Sequence, residues 1–208
     1  MQVGIFKVCY TDPPLFINPR DQENAPMITG RDLCKEEALE SGYLKYTKEI
    51  SDLAVEESQQ VVEVGAGLGE FIPSVAIRYP HIPKPILIDP ADYEAIREIL
   101  LYSKKTHQGI FNRGNKFDIG SIINSWLDRI EIILDPNKVR LINTTLDEAL
   151  RTDPLLRGSA DILVDFKAIR TYYRNCEQQQ KYLKSLLKEN GKLLPPDEVA
   201  EGSAWFYK

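Results

Sequence analysis

The segment VVEVGAGLGEF at residues 61–71 constrains the fold of this chain more than any other. Its β-branched valines predict a short strand over 61–64, which runs straight into glycines at positions 65, 67 and 69. Glycines there allow a tight turn and let backbone N–H groups approach a ligand closely. A helical pattern follows over residues 70–79. The segment therefore predicts a strand, a glycine turn and a helix, with a binding site at the turn.

The alternation of strand and helix continues along the chain. Short apolar runs predict further strands at 86–88, 139–143, 161–164 and 192–194. Helices are predicted at 91–105, 121–134, 146–151 and 176–188. Asn190-Gly191 predicts the end of the last helix, with Gly191 at its left-handed cap. This order is typical of an α/β fold with a doubly wound, mostly parallel sheet and helices on both faces.

The chain reads as one main domain with an appendage. Residues 1–30 are rich in Pro, Asn and Asp and predict an irregular N-terminal arm, in which residues 3–10 are a strand candidate. Residues 31–208 are predicted to form the domain, with an insertion at about 106–134 and a first helix that ends near residue 53. Few residues follow the last predicted strand, so we expect a shortened C-terminal end of the sheet.

The balance of charged residues limits the kinds of molecule that this chain is expected to bind. The 26 basic and 31 acidic residues give a net charge of −5, which disfavours binding to nucleic acid through a general basic field. A local basic cluster at 104–116 stays open as an RNA contact, or as a solvated loop.

The metal-binding residue types are few and dispersed. Three cysteines and two histidines form no ligand pair, so we expect no metal site. Separated thiols and the absence of an apolar run of about 20 residues predict a cytoplasmic protein without membrane contact.

Two phosphate-binding patterns fail at the glycine turn. The nicotinamide fingerprint needs a third glycine where this chain has Glu70, and a carboxylate there would repel a pyrophosphate. No Gly-Lys-Ser/Thr follows either, so the turn is not a Walker loop. The acid Glu63 inside an apolar strand instead favours a cationic ligand, because a buried acid is costly without a partner.

The pattern Glu63-x-Gly65-x-Gly67-x-Gly69 resembles motif I of the class I, Rossmann-like, S-adenosylmethionine-dependent methyltransferases. Asp89 ends the second predicted strand, where the family places an acid that takes both ribose hydroxyls. Residues 139–150 resemble the third strand and the adenine-contacting turn, with Thr144-Thr145 where the family often has Gly-Asp. Residues 159–166 look like strand four. The resemblance covers about residues 40–195.

The resemblance implies S-adenosyl-L-methionine as cofactor and methyl transfer to a small-molecule or protein acceptor. The cofactor-binding residues that it implies are Glu63, Gly65, Ala66, Gly67, Gly69, Asp89, Thr145, Leu146 and Asp165. No catalytic residue stands out. An RNA methyltransferase and a non-catalytic member of the fold stay open as alternatives, and a homodimer could supply missing parts of the substrate wall.

Each implied acid also has a structural alternative. Glu63 could cap a neighbouring helix, and Asp89 could be a turn residue before Pro90. Asp165 could belong to an ordinary turn at the end of a strand. Asp12-Pro13-Pro14-Leu15 lacks the aromatic residue of amino-methylating enzymes and is interpreted as part of the arm.

Overall fold

The computed structural model describes residues 2–3, 6–9, 15–17, 26–28, 54–67, 71–106, 119–165 and 168–194. Its strands are β1 (Gln2–Val3), β2 (Phe6–Cys9), β3 (Leu15–Ile17), β4 (Pro26–Ile28), β5 (Val61–Val64), β6 (Ile86–Ile88), β7 (Arg140–Ile142), β8 (Ala160–Val164) and β9 (Leu187–Leu194). Its α-helices are α1 (Phe71–Arg78), α2 (Tyr93–Thr106), α3 (Ile119–Leu134), α4 (Leu146–Thr152), α5 (Ile169–Tyr172) and α6 (Glu177–Ser185). A 3₁₀ turn at Pro154–Leu156 follows α4.

The chain divides into two compact units. One draws on Met1–Tyr46 and Asp92–Leu134, and the other on Thr47–Ala91 and Asp135–Lys208. None of the helices in the described chain combines the length and the hydropathy that crossing a membrane requires.

The second unit is built on a five-stranded sheet in the order β7-β6-β5-β8-β9. Every neighbouring pair in it is parallel. The chain moves outward from β5 to β6 and β7, and then crosses to β8 and β9 on the other side. The predicted doubly wound α/β fold is therefore confirmed, and the order reverses between β5 and β8.

Helices cover both faces of this sheet. Strand residues Val62, Val64, Ile86, Ile88 and Leu163 form one buried cluster with apolar residues of α4, the 3₁₀ turn and α6. Successive residues of a strand point to opposite faces, so Glu63 and Leu87 lie on the other face. That face belongs to α1, because the Glu63 carboxylate accepts the N–H of Ile72 in α1.

The first unit contains a small antiparallel sheet, in the order β1-β2-β3-β4. The strand candidate at 3–10 corresponds to β2, but the predicted irregular arm also holds β3 and β4. Leu15–Ile17 and Pro26–Ile28 are short apolar runs within a polar stretch of sequence. Proline is tolerated in β4 because that strand is at the end of the sheet order. The predicted helix before residue 53 lies outside the described residues.

Helices α2 and α3 belong to the first unit and pack on each other. Their buried side chains recur at helical spacing and include those of Ile96, Leu100, Trp126, Leu127, Ile130 and Ile133. The Arg97 Nε lies 2.5 Å from Glu131 Oε1 and links the two helices. Contacts group both helices in the first unit, which takes in Asp92–Leu134, while the predicted insertion at about 106–134 stays a prediction. Residues 107–118 lie outside the described residues.

The predicted role of Gly191 is wrong. Helix α6 ends at Ser185, and Gly191 lies inside β9, whose register against β8 shifts between Ala160 and Ile162. A Cβ at Gly191 would lie 2.6 Å from the Ala160 carbonyl oxygen. Close approach of two backbones, and not a left-handed cap, explains this glycine.

Replacing Gly191→Ala should therefore destabilise the second unit. The added methyl group must push against backbone of the neighbouring strand, which costs about 1–3 kcal/mol. Urea unfolding would measure the loss, with the exposed neighbour Asn190→Ala as the matched control. Equal stabilities of the two variants would contradict the close contact.

Candidate functional site

Three buried acids mark the carboxyl edge of the parallel sheet. Glu63 lies in β5, Asp89 follows β6 and Asp165 follows β8, so they come from three neighbouring strands. Their exposed fractions are 2%, 2% and 0%. In open α/β sheets this edge, at the point where the strand order reverses, is where ligands bind. These three side chains therefore mark the candidate site.

The glycine turn after β5 lies between the acids. Gly65 and Gly67 adopt φ angles of 66° and 56°, which L-residues with a side chain rarely adopt. The N–H of Gly65 donates to the Ile88 carbonyl, 2.9 Å away at the end of β6. Gly65, Ala66 and Gly67 are half-buried, while Gly69 lies outside the described residues. The structure thus has the tight turn that the glycines predict.

The turn is also pressed against the chain that follows β8. A Cβ at Gly65 would lie 2.2 Å from the Ala168 Cβ. That distance is far inside van der Waals contact, so no side chain fits at position 65 beside Ala168. The first glycine of the turn is needed for packing as well as for its backbone conformation. Ala168 was not identified from the sequence, because a residue four positions after the end of β8 carries no signal of such a contact.

Asp89 fixes the glycine turn to the end of β6. Its Oδ2 accepts the N–H of Gly67 at 2.9 Å, and its Oδ1 accepts the N–H of Ala91 at 2.8 Å. The bond from Ala91 is a local turn contact, as expected if Asp89 is a turn residue before Pro90. Both carboxylate oxygens of Asp89 are therefore engaged with the backbone of the two turns.

Asn143 extends the hydrogen bonds at the strand ends to β7. It was not among the residues predicted from the sequence. Its Nδ2 donates to the carbonyl oxygens of Asp89, at 3.0 Å, and of Ala91. Both amide hydrogens are used in this way, which ties the turn after β7 to the turn after β6. The available signal was its position directly after the third strand, the same position that Asp89 holds after the second.

The two residues implied in the adenine-contacting turn are placed differently. Leu146 is the first residue of α4, and its side chain is buried in the core cluster. Thr145 is exposed at the N-terminal end of α4, where its side chain makes no capping hydrogen bond. Thr145 therefore has a free surface at the carboxyl edge, whereas the Leu146 side chain serves packing.

Glu63 caps helix α1. One oxygen, Oε2, accepts the N–H of Ile72 in the first turn of the helix, at 3.1 Å. Burial raises the pKa of Glu63 to about 8, the hydrogen bond from Ile72 opposes that shift, and the nearby carboxylates of Asp89 and Asp165 add to it. Glu63 thus makes the helix-capping contact that the sequence analysis gave as its structural alternative. Because its pKa is about 8, the side chain is mostly protonated at neutral pH.

Asp165 holds the segment after β8. Its Oδ1 accepts the N–H of Ala168 and its Oδ2 the N–H of Arg170, both at 2.8 Å. The Arg170 guanidinium donates back to the Asp165 carbonyl oxygen at 2.7 Å, and its Nε lies 3.7 Å from Oδ2. Burial raises the pKa of Asp165, against the backbone hydrogen bonds and the Arg170 charge. Phe166 and Lys167 lie outside the described residues.

The acids are not arranged as a metal centre. Among the residues that the structure describes, no group of three or more His, Cys, Asp or Glu side chains could hold a metal ion. The three carboxylates bind backbone N–H groups, and Arg170 is the cation beside Asp165. The arrangement can hold a glycine turn in place and present an acidic floor to a ligand with positive charge.

Comparisons with known proteins add little to this description. No family model matches the chain, and no curated protein matches it. Among solved structures, the YcgJ protein from Bacillus subtilis is similar at 15% identity and a TM-score of 0.40, over 77% of this chain and 55% of that one. A spermidine synthase in complex with the transition state analogue AdoDATO is similar at 16% identity and a TM-score of 0.45, over 93% of this chain and 53% of that one.

The chain thus spans about half the length of these two structures. At such values neither likeness bears on activity. The fold assignment depends on the strand order and the parallel pairing of this chain itself.

The protonated state of Glu63 predicts how stability depends on pH. The unfolded side chain ionises near 4.5 and the folded one near 8, so between these values the folded state holds a proton that the unfolded state has released. Stability must therefore fall as pH rises through this window, in total by on the order of 5 kcal/mol for Glu63. Asp165 acts in the same direction.

The neutral variant Glu63→Gln isolates this effect. Urea unfolding at about pH 5 and about pH 8 should show a much smaller loss for the variant than for the natural chain. Glu56→Gln, at an exposed acid before β5, is the matched control and should behave like the natural chain. Identical losses for Glu63→Gln and the natural chain would show that Glu63 ionises normally.

The contact between Gly65 and Ala168 predicts that a substitution at position 168 can partly restore the stability lost by a substitution at position 65. Gly65→Ala should lose about 1–2 kcal/mol from its left-handed backbone and about 1–3 kcal/mol from overlap with Ala168. The double variant Gly65→Ala with Ala168→Gly removes the overlap but keeps the backbone cost. Unfolding free energies of the four chains should show favourable coupling between the two changes; simple additivity would contradict the contact.

Proposed function

We propose that this chain is an S-adenosylmethionine-dependent methyltransferase that acts on a small-molecule or protein acceptor. The observation that carries the proposal is the glycine turn of the central strand, held between buried acids at the carboxyl edge where the strand order reverses. The motif resemblance involves the same residues, and the parallel sheet with its reversal of strand order is the further support.

The chemistry of the donor set fits the cofactor. The crevice offers carboxylates and backbone groups, and Arg170 is engaged with Asp165. An acidic floor repels phosphate groups but suits a ligand that carries a sulfonium and an ammonium group. The backbone of Gly65–Gly67 would face the ligand, Asp89 would accept from the ribose hydroxyls, and the turn at Thr145 would border the adenine.

The residues of this chain would act mainly by positioning. When bound, S-adenosylmethionine supplies an electrophilic methyl group on a positively charged sulfur. Asp89 and Asn143 hold the turns after β5, β6 and β7 together, which fixes where the cofactor can lie. Asp165 and Arg170 hold the segment after β8, past which an acceptor would approach in line. We assign no general base.

A second candidate is a non-catalytic member of the fold. It is favoured by Asp89, which is 2% exposed and already accepts hydrogen bonds on both oxygens from Gly67 and Ala91. In such a protein the acids would serve stability alone. The RNA alternative depends on the segment 104–116, of which the structure describes only residues up to 106, and Lys104 there is exposed.

Ligand binding tests the proposal. S-adenosylmethionine and S-adenosylhomocysteine should raise the melting temperature and give a binding isotherm by calorimetry, because a ligand that binds only the folded state stabilises it. NAD and ATP should do neither, since their phosphates meet the acids. A shift with NAD and none with the adenosyl ligands would overturn the proposal.

A variant at the exposed Thr145 locates the ligand. Thr145→Arg places a long side chain over the edge of the crevice while the fold stays intact, since Thr145 makes no capping bond. We expect affinity for S-adenosylhomocysteine to fall by about tenfold or more, which is 1.4 kcal/mol or more. Thr152→Arg, at the other end of α4, is the control and should bind normally.

Catalysis is tested separately from binding. Formation of S-adenosylhomocysteine from S-adenosylmethionine would be measured with pools of small molecules, of proteins and of RNA. Turnover with either of the first two pools supports the proposal, and turnover with RNA alone supports the alternative acceptor. Binding without turnover in any pool would favour the non-catalytic candidate.

A further inference from the structure

The side chain of Asn143 is held in one orientation at the carboxyl edge of the sheet. Its Nδ2 donates one hydrogen to the Asp89 carbonyl oxygen, at 3.0 Å, and the other to the carbonyl oxygen of Ala91. Both partners can only accept, so a flipped amide would set Oδ1 against two carbonyl oxygens. The amide therefore keeps Nδ2 towards the turn after β6 and Oδ1 on its other side.

The backbone around Asn143 is fixed as well. The N–H of Thr144 donates to the Ile142 carbonyl oxygen at 2.9 Å, which closes a γ-turn with Asn143 at its centre. The same carbonyl oxygen accepts the N–H of Asp89 at 3.2 Å, which joins this turn to the end of β6. Because main chain and amide are already ordered, a ligand that uses Oδ1 meets little entropic cost there.

The Oδ1 atom is an acceptor that the described part of the chain does not use. Asn143 is exposed, and among the described residues its side chain makes only the two hydrogen bonds from Nδ2. An amide oxygen accepts hydrogen bonds and never donates them. A fixed Oδ1 therefore favours a ligand group that presents an N–H or O–H over one that presents an oxygen acceptor.

The exposed hydroxyl of Thr145, in the same turn, does not have this selectivity. A hydroxyl both donates and accepts, and it rotates to suit its partner. Thr145 makes no capping hydrogen bond that would fix its hydroxyl. It can pair with an amino group or with a carbonyl oxygen of a ligand equally well, whereas Asn143 Oδ1 distinguishes the two.

We propose that Asn143 is a specificity-determining residue whose Oδ1 accepts a hydrogen bond from the 6-amino group of adenine, so that the crevice selects adenosyl over inosyl ligands. This inference rests on the proposed function. Strand β7 is the outermost strand on its side of the sheet, two strand spacings or about 10 Å from β5. A cofactor whose sulfonium lies over the turn after β5 extends its purine towards β7.

Three ligands test the natural chain. S-adenosylhomocysteine carries the 6-amino group, a desamino analogue carries hydrogen in its place, and S-inosylhomocysteine carries an oxygen. Calorimetry should give an affinity weaker by about fivefold or more for the desamino analogue, because Oδ1 is then covered without a partner. The inosyl ligand should bind more weakly still, because two oxygen acceptors face each other. Equal affinities for the adenosyl and inosyl ligands would overturn the inference.

The variant Asn143→Ala assigns the discrimination to this side chain. It also removes the bonds to Asp89 and Ala91, so a loosened turn should weaken all three ligands alike. The ratio of affinities for the adenosyl and inosyl ligands is the readout that a purely structural role leaves unchanged, and it should fall towards one. Asn190→Ala, at an exposed asparagine of β9, is the matched control and should keep the ratio of the natural chain.

The variant Thr145→Val tests the competing residue, and it should also keep the ratio. Loss of the ratio in Thr145→Val, with the ratio kept in Asn143→Ala, would overturn the inference. Should Asn143→Ala fail to fold, the order of the three ligands in the natural chain and in Thr145→Val still decides. Only an acceptor without a hydrogen rejects the inosyl ligand more strongly than the desamino one, whereas a hydroxyl tolerates it.

The outcomes separate this inference from the proposed function. If S-adenosylmethionine and S-adenosylhomocysteine both fail to bind, the proposed function fails and the inference fails with it. If they bind and the group at position 6 of the purine makes no difference, the function stands and the inference is overturned. A ratio that persists in a folded Asn143→Ala would also overturn it, because another group would then recognise the base.

Discussion

The carboxyl edge of the parallel sheet depends on buried carboxylates that accept backbone N–H groups. Asp89 binds Gly67 and Ala91, Asp165 binds Ala168 and Arg170, and Glu63 binds Ile72. Loops that turn sharply at a strand end leave N–H groups without a partner in the sheet, and a buried N–H without a partner is costly. The acids supply those partners, so the path of each loop follows from the side chain at the end of a strand.

This framework explains which features of the sequence were predictive. Short apolar runs that end in glycine or aspartate predicted β5, β6 and β8, because buried parallel strands need nearly continuous apolar residues and the glycine or aspartate marks the edge. The helical faces of α2 and α3 were equally predictable from their spacing. The failure at Gly191 has a physical reason: a glycine that permits two strands to approach looks, in sequence, like a glycine that ends a helix.

The candidate site was less predictable than the fold. Glu63, Asp89 and Asp165 were found, because an acid among apolar strand residues is conspicuous. Asn143, Ala168 and Arg170 were not, because their roles depend on contacts across the ends of different strands. Asn143 meets Asp89 across 54 positions of sequence, which no local pattern encodes. A motif thus identified the residues on one strand, and only the topology identified their partners.

The energetic balance at Glu63 is informative about function. A glutamine at position 63 could cap α1 equally well and would carry none of the cost of ionisation, so helix capping alone does not require an acid. A carboxyl group that weakens the fold as pH rises is the kind of local conflict expected where a site is built for a ligand and not for stability. Asp165 shares the direction of this pH dependence, but both of its oxygens also accept backbone N–H groups. Glu63 accepts the N–H of Ile72 through Oε2, a bond that a neutral glutamine could also accept, so capping leaves the acid itself unexplained.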